Sequence, residues 1–357
     1  MRIAVVALFV ISVIAAGLVD GRGDGPAVVP AAAGAATRSA VTAPAVASTT
    51  STTSTTVAAV AARSTVVTTS PPAPSTTTAP NPLPSAGTAS SGAVVTQRGL
   101  VLPLLRREGD GFLVETPCSR TAVVQGSVVP RATVVLDPGH GGTEPGAVGP
   151  NGLSEKGLNL AVVNHARAAL ERAGVTTMST RTGDHRVTLA TRAKVAKALK
   201  PRAFVSVHHN AEPDGPRVGP GTETYYQIAS ADSKRLSGLI YEEVVQALSA
   251  YTIPWVADTD AGAKYRTNRA GGDYYGILRL SQGVPAVLAE LAFVSNPPEA
   301  ELLVRPDVQK VEGEAVARGV LRFLNTSDPG SGYTEPYPRS SPAGGGGGSS
   351  GCVDPPL

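Results

Sequence analysis

Three clusters, far apart in the chain, hold residues suited to binding and using a metal ion. They are Asp137-Pro138-Gly139-His140-Gly141-Gly142 with Glu155-Lys156 behind it, Ser206-Val207-His208-His209-Asn210, and Pro285-Ala286-Val287-Leu288-Ala289-Glu290. Two imidazoles and one carboxylate form a three-ligand set for zinc and leave a fourth position for water. A further carboxylate, Glu290, is then placed to take that water's proton. An open zinc with a base beside it is suited to hydrolysing an amide.

The elements that position these residues follow from periodicity. Residues 133–136 form a β-branched run that predicts a buried strand. From Glu155 to Ala173, Val162, Val163, Ala166, Ala169, Leu170 and Ala173 recur at helical spacing, and Gly174 ends the helix. Further strands are expected over 175–180, 203–208, 222–228, 274–278 and 286–291, and helices over 189–199, 233–249, 298–304 and 308–324. This alternation predicts an α/β fold, a three-layer sandwich in which a mostly parallel twisted sheet carries helices on both faces. His140 follows the first strand, His208 ends the third and Glu290 ends a late one. Sites in such sheets form beyond the carboxyl ends of the strands.

Each residue also has a plainer reading. Glu155 opens a helix, where a carboxylate is favourable in any case; Glu144, in the glycine loop, is a rival ligand expected to be exposed. His208 and His209 are adjacent, so a strand sends them to opposite faces and only one is a ligand; the chemistry of the residues does not choose between them. His165 and His185 read as solvated. Glu290 ends an apolar strand, where a charge is costly unless paired or part of a site; Arg279 is its candidate partner.

Composition sets the domain boundaries. Met1-Arg2 and the apolar run that follows read as a signal peptide over residues 1–20, or as an uncleaved N-terminal anchor. Residues 21–93 are Ala, Thr, Ser, Val and Pro, a composition that cannot offset its ordering entropy, and are expected to be a disordered stalk. Residues 94–130 suggest one or two short lead-in strands, 131–325 the main domain, and 326–357 a disordered Gly/Ser/Pro-rich tail. With 31 Lys+Arg against 28 Asp+Glu, the net charge of +3 gives no basis for a nucleic-acid partner. Two cysteines exclude a disulfide-rich scaffold. Outside the cytoplasm Cys118 and Cys352 can oxidise together, although nothing in the sequence brings them into contact.

The stretch Val135-Leu136-Asp137-Pro138-Gly139-His140-Gly141-Gly142, with Gly146-Ala147, Gly152, Glu155-Lys156 and Asn159-Leu160, resembles the zinc-dependent N-acetylmuramoyl-L-alanine amidases of the third amidase family. Thr180-Arg181 with Asp184 and Arg192, Ser206-Val207-His208-His209-Asn210, Gly221 to Tyr226 and Val284 to Glu290 continue the likeness in order. The resemblance implies zinc held by His140, Glu155 and His208, with His209 in a variable place and Glu290 as the catalytic group. It implies a secreted or otherwise extracytoplasmic enzyme acting on peptidoglycan or muropeptide fragments, with the membrane involved only if the N-terminal segment is retained. Arg279 is a candidate for binding a substrate carboxylate, and Asp137 and Asn210 for supporting the ligands. A zinc peptidase cutting within the stem peptide, or a non-catalytic wall-binding relative, are the alternatives.

Overall fold

The computed structural model describes residues 91–336 and 347–357. The expected signal segment and nearly all of the stalk lie outside the described residues. Among the described residues, no helix is long and apolar enough to cross a membrane.

The chain before the main domain folds as a five-stranded antiparallel sheet, which corrects the expectation of one or two lead-in strands. Its strands are β1 (Ala93–Thr96), β2 (Val101–Glu108), β3 (Gly111–Glu115), β4 (Thr121–Val124) and β5 (Gly126–Val129), in the order β4-β3-β2-β1-β5. Most are too short to show clear alternation. Their pairing depends on tight turns such as Gly109-Asp110, where Gly109 takes a positive φ of 56° between β2 and β3. Val94, Leu100, Leu102, Leu104, Val114 and Val124 form the sheet's own core.

The main domain then runs β6 (Val134–Pro138), α1 (Glu155–Arg172), β7 (Thr177–Ser179), α2 (Leu189–Leu199), β8 (Ala203–Asn210), β9 (Gly215–Arg217), β10 (Glu223–Tyr226), α3 (Ala231–Leu248), β11 (Trp255–Ala257), β12 (Ala263–Lys264), α4 (Gly276–Leu280), β13 (Ala286–Phe293), α5 (Pro297–Leu303) and α6 (Pro306–Asn325). Six strands form one sheet in the order β12-β10-β13-β8-β6-β7. Strands β7, β6, β8 and β13 are parallel, whereas β10 runs antiparallel to β13. Strands β9 and β11 pair as a separate antiparallel ribbon.

The parallel strands are apolar on both faces because both are covered. Val134, Leu136, Val205, Val207, Val287 and Ala289 share a core with residues of α1, α3 and α6. Val135, Phe204 and Leu288 share one with residues of α2 and α4, and Ala93 and Val101 of the small sheet join it. Each fully buried aliphatic side chain contributes roughly 1.5–3 kcal/mol. The expected three-layer α/β arrangement is present.

Two expectations are corrected. Residues 274–278 were expected to be a strand; instead Tyr275 caps α4, and Ile277 and Leu278 are buried from a helical turn. Short apolar runs do not distinguish the two. The tail was expected to be structureless, but its described residues are tied down. Cys352 forms a disulfide with Cys118. Asp354 accepts from the Cys118 amide at 2.8 Å and the Thr116 hydroxyl at 2.9 Å, and pairs with Arg120 at 2.9 Å.

Candidate metal centre

The glycine loop after β6 is held by two buried arginines. Arg181 donates from Nε to the Pro138 carbonyl at 3.0 Å and from Nη2 to that of Gly139 at 2.8 Å. Arg192 donates from Nη1 to the Pro138 carbonyl at 2.7 Å and from Nη2 to that of His140 at 2.5 Å. Arg192 is anchored in turn by Asp137 at 2.6 Å, which also accepts from the hydroxyls of Ser206, at 2.7 Å, and Thr180. Burial works against the ionised form of Asp137, but the charge of Arg192 and these hydrogen bonds outweigh it and hold the carboxyl below its usual range. Asp137 therefore bears on His140 through Arg192 and the loop backbone.

The loop needs glycine where it crosses the site. A Cβ on Gly139 would lie 2.2 Å from the His208 ring, and one on Gly146 would lie 2.3 Å from Glu155 Oε2. His140 itself has a left-handed φ of 58°, a strained backbone for a non-glycine residue that the arginine clamps hold in place.

Three of the expected residues converge. Glu155, the first residue of α1, places Oε2 3.1 Å from His140 Nε2 and Oε1 2.9 Å from His208 Nδ1. The two rings stand 4.9 Å apart at 76°. One ligand atom from each residue lies within 4.8 Å of the others. Two imidazole nitrogens and a carboxylate oxygen this close together fit a divalent ion such as zinc. The carboxylate is also fixed by the Ala147 amide at 2.8 Å and by Asn159 Nδ2 at 3.2 Å. Burial opposes its ionisation, but the two imidazoles beside it hold it well below the usual carboxylate range. Burial pushes the His208 imidazolium toward its neutral form, the form that ligates. Glu144 stands apart, pairing with Arg186 at 2.5 Å and accepting from the Gly347 amide at 2.9 Å. His185 is not simply solvated as expected: burial, with Arg181 and Arg192 nearby, lowers its pKa to about 4.

Glu290 lies level with this cluster. Strand β13 runs between β8 and β10, so Glu290 is the Cα partner of His208 on one side and Glu223 on the other. Laterally paired side chains leave a sheet on the same face. Glu290 Oε2 is buried without a hydrogen-bond partner. Burial, with the charges of Glu155, Glu223 and Asp258 around it, pushes this carboxyl well above its usual range. Glu223, by contrast, is tied to Lys264, to Asn210 Nδ2 at 2.7 Å and to the Tyr225 hydroxyl at 2.9 Å. Asn210 thus holds Glu223 and not a ligand. Arg279 does not pair with Glu290: it is exposed on α4, and its Nη1 donates to the carbonyls of Asp273 at 2.8 Å and Tyr274 at 2.9 Å. The clamping roles of Arg181 and Arg192 were not foreseen. That of Asn159 was foreshadowed by its i, i+4 spacing from Glu155.

Residues 134–322 match the family described as N-acetylmuramoyl-L-alanine amidase. The Bacillus subtilis protein YqiI is 35% identical over 215 residues, which cover 60% of this chain and 93% of that one. The N-acetylmuramoyl-L-alanine amidase AmiC of Neisseria meningitidis is 27% identical over 227 residues, and the match spans 55% of this chain and 54% of AmiC. The solved catalytic domain of the amidase CwlV from Bacillus (Paenibacillus) polymyxa is 30% identical, with a TM-score of 0.46 over 54% of this chain and 98% of that one. The chain belongs to the N-acetylmuramoyl-L-alanine amidase family. It is a hydrolase of the amidase class that acts on peptidoglycan.

Proposed function

We propose that this hydrolysis uses a zinc ion held by His140, Glu155 and His208, with Glu290 as proton carrier, and that it takes place outside the cytoplasm. The observation that carries the reading is the unpartnered, buried Oε2 of Glu290 at the level of His208 on the adjoining strand. Zinc, when bound, supplies a Lewis acid that polarises the scissile carbonyl and acidifies water.

The scissile bond joins the lactyl carbonyl of N-acetylmuramic acid to the nitrogen of L-alanine. As water adds to the carbonyl carbon, Glu290 accepts its proton; as the C–N bond breaks, the same carboxyl returns the proton to the departing amine. Asp137 supports His140 through Arg192, and Asn210 supports Glu223 beside Glu290. Arg279, exposed on α4, is assigned to a carboxylate of the stem peptide.

The substrate is intact peptidoglycan or a muropeptide released from it. Family membership favours the sugar–peptide amide over a bond within the stem. The Cys118–Cys352 disulfide supports an oxidising compartment, in keeping with an export signal at residues 1–20. The test is Glu290→Gln in the full chain. The variant should keep its zinc and lose roughly 10²-fold or more in turnover, the scale for a positioned general base. Mass analysis of the parent's digest should show free L-alanine amino ends. Full turnover by the variant, or cuts only within the stem, would overturn the reading.

A further inference from the structure

His209 was assigned a variable place facing away from the metal, and its ring does lie away from the His140–Glu155–His208 cluster. Yet it is fully buried between α1 and α6. Its Nδ1 stands 2.8 Å from Asn159 Oδ1, and its Nε2 stands 3.3 Å from Glu312 Oε1 on α6. Asn159 in turn donates from Nδ2 to Glu155 Oε1 at 3.2 Å and to the Gly139 carbonyl at 3.4 Å. A chain of contacts therefore runs from Glu312 through His209 and Asn159 to the candidate ligand Glu155.

We propose that His209 is a positioning residue for the metal site, fixing the Asn159 amide so that its NH2 faces Glu155. The inference rests on the zinc reading above. Both groups on the metal side of Asn159, the Glu155 carboxylate and the Gly139 carbonyl, are acceptors and require the NH2. The amide oxygen must then face His209, so Nδ1 must carry a hydrogen. A bare Nδ1 would attract the NH2 instead and turn the amide oxygen against the Glu155 carboxylate. Glu312 Oε1, 3.3 Å from Nε2, partners the far side of the ring, so both ring nitrogens are engaged and the ring is held in one orientation against Asn159. Glu312 Oε2 is buried without a hydrogen-bond partner, an arrangement that costs free energy and that packing alone does not require. The His209 backbone amide also donates to Glu155 Oε1 at 3.2 Å, so side chain and main chain act on the same oxygen.

Two polar replacements separate positioning from packing. The amide nitrogen of Asn falls near Nδ1 of histidine, and that of Gln falls near Nε2. His209→Asn restores the donor to Asn159 and abandons Glu312; His209→Gln does the reverse. Zinc dissociation constants are measured on the full chain by competition with a chromogenic chelator, with melting temperatures taken on the same samples. His209→Asn should bind zinc within a few-fold of the parent. His209→Gln should bind about 10- to 100-fold more weakly, the usual range for losing a group that orients a ligand. A role confined to packing predicts the reverse order, because only Gln keeps the buried Glu312 partnered. Equal affinities, or weaker binding by the Asn variant, overturn the proposal while leaving the zinc reading intact. A parent that binds no zinc overturns the zinc reading and this inference together.

Discussion

Glu290 and His208 are Cα partners on adjacent parallel strands, so the expected proton carrier and the expected ligand rise from the same level of one sheet. Their spacing is set by backbone pairing and needs no contact between the side chains. The consequence for Glu290 is a poorly compensated position: buried, with one oxygen unpartnered, and facing the charges of Glu155, Glu223 and Asp258.

That position has a testable cost. The carboxyl of Glu290 is raised above its ordinary value of 4.5 in the folded protein. A raised group favours folding while protonated, and that contribution is lost as pH rises through the folded pKa. Glu290→Gln, which cannot ionise, should therefore melt a few degrees above the parent at neutral pH when both are metal-free. The gap should close as pH falls below 4.5, where Glu290 becomes protonated in both folded and unfolded chains. Thermal melts of chelator-treated proteins across this range check the sign; a variant less stable at neutral pH would contradict it.

Removing a ligand differs from removing a support. His208→Ala should abolish stoichiometric zinc. Asn210→Ala should retain it, because Asn210 bonds to Glu223 and not to His140, Glu155 or His208; its loss should appear in turnover. Metal analysis of the two purified variants decides the matter, and equal zinc content in both would count against His208.

Asp137 offers a stability prediction. Asp137→Asn leaves the buried guanidinium of Arg192 without its countercharge, which should cost about 3–5 kcal/mol in urea denaturation. The carboxyl of Asp137 is depressed in the fold, so its contribution should hold above its ordinary value of 3.8 and fade as pH drops through the folded pKa. A loss below 1 kcal/mol would mean that the surrounding hydroxyls and carbonyls suffice.

The disulfide yields a fourth expectation. Cys352→Ser should lower stability by roughly 2–5 kcal/mol. Reducing agent should lower the melting temperature of the parent and leave that of the variant unchanged.

Most of this architecture was legible because the parallel strands are continuous apolar runs and α1 and α2 have clear periodicity and stops. Leu189–Leu199 matches the expected helix to the residue. The small sheet was not legible, since four of its five strands have only four or five residues and carry little alternation. Residues 274–278 failed for a related reason: a short apolar stretch is buried equally well as a helical turn. At the site, residue types and motif order pointed to His140, Glu155, His208 and Glu290. They did not show which neighbours hold those groups, because Arg181, Arg192 and Asn159 act through contacts set by the tertiary fold. The pinned tail was invisible too: a Gly/Ser/Pro composition describes a segment that cannot build its own core, and says nothing about a cysteine that ties it to another.

The link between Cys118 and Cys352, 234 residues apart in sequence, makes everything between them a covalent ring. That ring contains the whole candidate metal centre and every strand of the main sheet. A single proteolytic cut in any loop within it opens the ring but releases no fragment; two cuts are needed before a piece can diffuse away. In surroundings rich in proteases, a nicked molecule keeps its halves at high effective concentration and can close up again on its own core.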